Sequence, residues 1–252
     1  MRTANPALAG RVFQAEAAAD PRASVMTVNG AVAKTGILAI LAVIAGGLAW
    51  SLVHPTEGSM TYDPTYRLLF GMGAPIAGFL VALVTCFAPR VAPATAPVYA
   101  ALEGLFLGTV SSFFDARYQG IVLQAAMLTT GTLLVMLLAY GSGLVRATRG
   151  FTLAVTAATG AVCLVYLAAF VLGFFGVNLG IFSAGPIGIG FSLVVVVIAA
   201  LNLVLDFDVI ETGARYGAPK YMEWYAAFGL MVTLVWLYLE VLRLLAKLRS
   251  ND

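Results

Sequence analysis

The stretch Leu201-Asn-Leu-Val-Leu-Asp-Phe-Asp-Val-Ile-Glu211 decides how the chain is read, because a long apolar run meets Asp206, Asp208 and Glu211 there. Carboxylates at the end of a membrane span are costly and are read first as functional groups. If the helix continues to Gly213, its first stop signal, Asp206 lies on the order of 10 Å in from that end. At that depth an ionised group loses its hydration.

The composition around this stretch is that of a membrane protein. Of 252 residues 61% are hydrophobic and 10% charged, and the mean hydropathy is +0.96, outside the range of soluble domains. A net charge of +2 with scattered basic residues excludes a nucleic-acid partner. Cys86 and Cys163 sit in apolar runs and read as small packing residues. His54 is the one histidine and falls in a loop, which leaves a zinc site or a histidine triad nothing to build on.

Residues 1–35 carry Arg2, Arg11, Arg22 and Lys34 among alanines and polar residues, with no apolar core. They read as a polar cytoplasmic N-terminal segment, not a cleavable signal. Seven apolar segments follow and predict a seven-helix transmembrane domain over 36–248, each near the length a helical span requires: Gly36–Val53, Leu68–Phe87, Ala96–Phe114, Ile121–Tyr140, Phe151–Phe175, Pro186–Leu205 and Tyr225–Leu245. The fold class is an all-α polytopic membrane protein. Breakers punctuate the connections at 54–58, 88–93, 141–143 and 217–219. A cytoplasmic amino terminus places the first 35 residues, Arg90, Arg146, Arg149, Arg215 and Lys220 inside, against Arg67 and Arg117 outside. Arg243, Lys247 and Arg249 then fall outside if the last segment crosses fully; the other possibility is that it bends back.

Glu103, in Ala100-Ala-Leu-Glu-Gly-Leu-Phe-Leu-Gly108, is the carboxylate well inside a span, and it shares the depth of Asp206. Two acids facing each other in a low-dielectric bundle cannot both ionise cheaply, so such a pair holds a shared proton. Loss of that proton would push the helices apart or invite a cation such as calcium near Asp206, since calcium prefers clustered carboxylate oxygens. The plainer alternative has Glu103 as a neutral hydrogen-bonded acid, and Asp206 and Asp208 facing the headgroups. For Asp208 and Glu211 solvation near the surface is the favoured reading. Glu240 lies near the opposite membrane face, where an ion pair with Arg243 accounts for it. The run Ser183-Ala-Gly-Pro-Ile-Gly-Ile-Gly-Phe-Ser192 lacks the strand and lysine of a nucleotide loop and reads as small residues that let helices approach. Ser111, Ser112 and Ser192 lie in or near spans with no intramembrane His or Lys expected to activate them, which argues against an enzyme.

Three motifs carry a family resemblance: Leu-Glu-Gly-Leu-Phe-Leu-Gly at 102–108, Leu-Asp-Phe-Asp-Val-Ile-Glu at 205–211 and Tyr-Leu-Glu-Val-Leu-Arg-Leu-Leu at 238–245. Over roughly residues 30–248 the chain resembles the Bax inhibitor-1 / YccA family of transmembrane Bax-inhibitor-motif proteins. The resemblance implies a bundle with the last helix at its centre. It also implies a pH-sensitive calcium leak, gated by an aspartate pair between the sixth and seventh spans and latched by an arginine near the end of the second. Asp206 looks like the first aspartate and Arg90 like the latch. For the second, alignment on Tyr-Leu-Glu places Glu240 and ungapped alignment from Tyr221 places Met231; Glu103 is the substitute partner that depth suggests. Some members are instead associated with controlling membrane proteases or stress tolerance.

The expectation is therefore a passive, pH-sensitive leak for calcium or another cation, without a cofactor, in a bacterial-type inner membrane. Asp206, Glu103, Asp208 and Glu240 are its sensor and pathway candidates. The rival is a membrane interaction protein, with a membrane protease or a stress or death pathway as partner, that conducts nothing.

Overall fold

The chain was analysed as a computed structural model, which describes residues 25–53, 64–177 and 179–250. Much of the expected N-terminal segment, and His54 with the breaker at 54–58, lie outside the described residues. Within them seven helices are long and apolar enough to cross a membrane: α1 Val28–Val53, α2 Thr65–Phe87, α3 Ala92–Arg117, α4 Ile121–Gly141, α5 Arg149–Phe174, α6 Pro186–Arg215 and α7 Met222–Arg249. A π-helical turn, Leu69–Gly73, interrupts α2. No strand forms among the described residues, and Val25 and Pro219 make an isolated bridge.

Successive helices run antiparallel between two faces. On the near face, where α1 begins, the Met26 backbone N–H donates to Ala218 O at 2.7 Å in the α6–α7 turn. Thr85 and Thr95 hydroxyls meet at 2.7 Å across the α2–α3 turn on the same side. On the far face, Arg249 at the end of α7 donates to Gln119 O at 2.7 Å and to Gln124 Oε1 at 2.9 Å. The last helix therefore crosses fully and does not bend back. Its cations are tied into protein: Arg243 pairs with Glu240 and Lys247 is buried. The near face keeps Arg90, Arg146, Arg149, Arg215 and Lys220 at its helix ends and turns.

Two helices extend further than hydropathy alone indicates. α1 begins at Val28 rather than Gly36, because its first turns, with Ala31 and Thr35 buried, pack into the bundle. α6 runs on to Arg215, so Asp206, Asp208 and Glu211 are helical residues.

α7 is the central helix, packing against α1, α3, α4 and α6, and most of its length from Met222 to Val241 is buried. Lipid is as apolar as the side chains, so close packing has to hold the bundle together. The closest approach is α1 against α3, the most extensive interface in the molecule. A Cβ on Gly104 would stand 2.3 Å from Ala42 O, and one on Gly108 2.1 Å from Gly46 O. This is a small-xxx-small crossing in which backbone meets backbone.

The glycine run at 185–190 does not supply such a crossing. A Cβ on Gly188 would meet Ser183 O in its own preceding loop, and Gly190 faces open space. α2 and α5 are peripheral, and Cys163, expected as a packing residue, is exposed on α5.

Candidate functional site

Asp206 is 1% exposed. It is nine residues before the α6 terminus at Arg215, about 14 Å along the helix axis. Neither carboxyl oxygen has a hydrogen-bond partner. The Thr233 hydroxyl of α7 is its polar neighbour, close enough to act on it but outside bonding geometry. No carboxylate and no cation among the described residues pairs with it. An ionised carboxylate placed so costs several kcal/mol, whereas the neutral acid loses about 1–3 kcal/mol for unmade hydrogen bonds. Asp206 in this arrangement holds its proton.

The neighbouring acids of α6 face elsewhere, because each successive residue turns about 100° around a helix. Asp208 and Glu211 line a cleft of about 1090 Å³ bounded by α1, α4, the turn after α4, α6 and α7. The Tyr140 hydroxyl donates to Glu211 Oε2 at 2.5 Å and lies 3.5 Å from Asp208 Oδ1, while Arg215 pairs with Glu211. A hydroxyl has one proton, so Glu211 takes it and Asp208 keeps only the long contact. Phe207, Leu230 and Leu234 form the inner wall of this cleft. Asp206 and Thr233 immediately precede Phe207 and Leu234 and are not among the residues that line the cleft, although Ile210, one turn on from Asp206, is.

The structure does not bring Glu103 to Asp206. Glu103 lies beside Tyr99, one turn back on α3, and against Gly78 of α2, whose Cβ would stand 3.1 Å from its Oε1. Between them stands α7, which packs against both α3 and α6. Glu240 is at the far end of α7, 2% exposed, where it accepts from Arg243 at 2.8 Å and from the Tyr166 hydroxyl at 2.8 Å. It is remote from Asp206 for the reason its position along the helix gives. Arg90 sits exposed in the near-face turn Pro89–Val91 and makes no bond to Asp206 in this structure. Among the described residues no group of three or more His, Cys, Asp or Glu side chains gathers as a metal cage.

Two buried clusters escaped the sequence reading. Glu223, 1% exposed at the start of α7, accepts from the Thr27 backbone N–H at 3.0 Å, the Thr27 hydroxyl at 3.1 Å and Lys34 Nζ at 2.5 Å. At the far face Lys247 Nζ donates to Ile181 O at 2.6 Å, Gly188 O at 2.9 Å and Ser192 Oγ at 2.8 Å. An intramembrane lysine therefore does reach Ser192, contrary to expectation, because α7 crosses beside α6. All three ammonium protons are spent on acceptors and Ser192 is 0% exposed, so the pair is arranged as a cation clamp fastening α7 to the start of α6 and the loop before it.

The family model described as Bax inhibitor 1 like matches residues 5–250. No curated protein and no solved structure matches the chain.

Proposed function

From the premise that the chain belongs to the Bax inhibitor 1-like family, we propose that this multi-pass membrane protein is a passive leak for calcium or a related cation, closed when Asp206 is protonated. The reading rests on one observation: a carboxyl buried among helices with neither oxygen bonded. Such a group has two states of very different cost, and the ionised one is stable only if water, a cation or a hydroxyl reaches it. Asp208 and Glu211 stand at the cleft mouth as the first carboxylates an entering cation meets. Phe207, Leu230 and Leu234 form the barrier between them and Asp206.

The sign follows directly. At low pH Asp206 is neutral and the α6–α7 seam stays dry, so flux is small. As pH rises the proton leaves, the charge draws water and cation into the seam, and flux increases. Glu103 is assigned the supporting role of a second confined acid on the opposite side of α7, and Glu240 that of a far-end anchor. Arg90, the latch that the family resemblance implies, would act from the near-face turn Pro89–Val91 and not through a bond to Asp206. The cation-rich near face is assigned to the cytoplasm, in a bacterial-type inner membrane.

The test is calcium entry into liposomes holding the purified protein, measured from pH 6 to pH 8. Wild type is expected to conduct more at pH 8. Asp206→Asn, which keeps the shape and cannot ionise, is expected to hold the low-pH rate throughout. An unchanged pH response in the variant removes Asp206 from the sensor. No calcium movement from folded wild type leaves the non-conducting interaction protein, the regulator of a membrane protease or stress pathway, as the better reading.

A further inference from the structure

We infer that the cleft beside α6 is a binding site for a phospholipid with a primary-ammonium headgroup, the phosphate on Arg146 and the ammonium on Asp208. The walls set the class of ligand. Val28, Val32 and Gly36 of α1 face Leu133, Leu134 and Leu137 of α4 across it. Its volume of about 1090 Å³ is bounded on this side by aliphatic groups and by Thr35, whose hydroxyl is spent on Ala31 O, a lining suited to an acyl chain. At the near-face end the character changes, and polar and charged side chains take over.

The charges there set the headgroup. Arg215 is neutralised by Glu211, and the Tyr140 proton is given to the same carboxylate. Among the described residues that line the cleft, that leaves one cation and one anion without an ion-pair partner. Arg146 is exposed and forms no ion pair with any described residue, and Asp208 is half-buried, with a 3.5 Å contact to Tyr140 and the charges of Glu211 and Arg215 near it but no ion pair to a described residue. They line the same cleft and yet do not pair with each other, so a ligand carrying both signs satisfies both at once. An ethanolamine phosphate does this: the phosphate accepts from the guanidinium and the ammonium donates to the carboxylate. A choline head matches the charges but has no N–H to donate, and a glycerol head leaves Asp208 facing a second anion. The expected order of retention is ethanolamine over choline over glycerol phospholipid.

Native mass spectrometry of the full chain, supplied in turn with dioleoyl phosphatidylethanolamine, phosphatidylcholine and phosphatidylglycerol, reads this order directly. Asp208→Asn and Arg146→Ala are each expected to lower ethanolamine-lipid retention about tenfold, the worth of one charge-assisted hydrogen bond. Gly36→Leu supplies a variant that needs no charge change. A Cβ at Gly36 meets nothing within 4 Å, so the larger side chain enters the cleft without disturbing the helices and is expected to displace all three lipids. Equal retention of the three lipids, preference for the glycerol head, or indifference to Asp208→Asn would each overturn the assignment. A lipid so seated covers the mouth assigned above to an entering cation and competes with it for Asp208; the readout is binding, so it succeeds or fails independently of whether the protein conducts.

Discussion

Gly108→Leu is expected to abolish folding, and Gly108→Ala to cost about 3 kcal/mol, at the upper end of overpacking substitutions. The reason is backbone geometry. A Cβ at Gly108 stands 2.1 Å from Gly46 O and 2.7 Å from Gly46 Cα. These are main-chain atoms within a helix, so no rotamer change relieves the contact and α1 itself has to move. α1 also carries the near-face contacts to α7 through Lys34 and Thr27, and its displacement therefore loosens the centre of the bundle as well. Reversible unfolding in mixed micelles, followed by far-ultraviolet circular dichroism, measures the loss. Gly47→Leu is the control, since a Cβ there meets nothing within 4 Å, and it is expected to unfold like wild type. A Gly108→Ala protein as stable as the control would show that the α1–α3 crossing is looser than the structure has it.

Glu223→Ala is expected to destabilise the fold by about 3–5 kcal/mol, the range for removing one partner of a buried ion pair. One carboxylate satisfies a backbone N–H, a hydroxyl and an ammonium, and its loss leaves all three without their acceptor at the start of α1. Gly30 packs so closely on Glu223 that no side chain fits between them, and Thr27 caps Gly30 N–H at 2.9 Å. The start of α1 is therefore built around this carboxylate. Replacing both charges, Glu223→Leu with Lys34→Met, is expected to recover most of the loss, because the unpaired ammonium is then gone. A double variant no more stable than Glu223→Ala alone would mean that the Thr27 bonds, and not the ion pair, carry the effect.

Depth was legible in the sequence, and azimuth was not. Each span is a long apolar run, so hydropathy places its residues along the membrane normal. Helical rise gives Asp206 and Glu103 similar distances from the near-face ends of α6 and α3, and Glu240 lies at the far end of α7 with Tyr166 and Arg243. Which way each points depends on which helices are neighbours, and no single helix carries that information. Glu103 turns to α2 while Asp206 turns to α7, and the proposed facing pair does not form.

The same limit hid Lys247 on Ser192, residues far apart in the chain that meet only because α7 passes α6. Glu223 follows a turn signal at Gly217-Ala-Pro219 and reads as a solvated residue at a helix start; nothing local reveals that the end of the N-terminal segment folds back onto it. The small residues of the 102–108 motif carry a family likeness in the sequence. Their physical role is the contact of Gly104 and Gly108 with α1.

Infrared difference spectroscopy of the reconstituted protein tests most directly whether a lone buried acid governs the closed state. The C=O stretch of the protonated Asp206 carboxyl, identified as the band that Asp206→Asn removes, should be present in wild type at low pH and fade as calcium flux rises. A wild-type spectrum with no band assignable to Asp206, or a band that persists unchanged while flux rises with pH, would contradict the account.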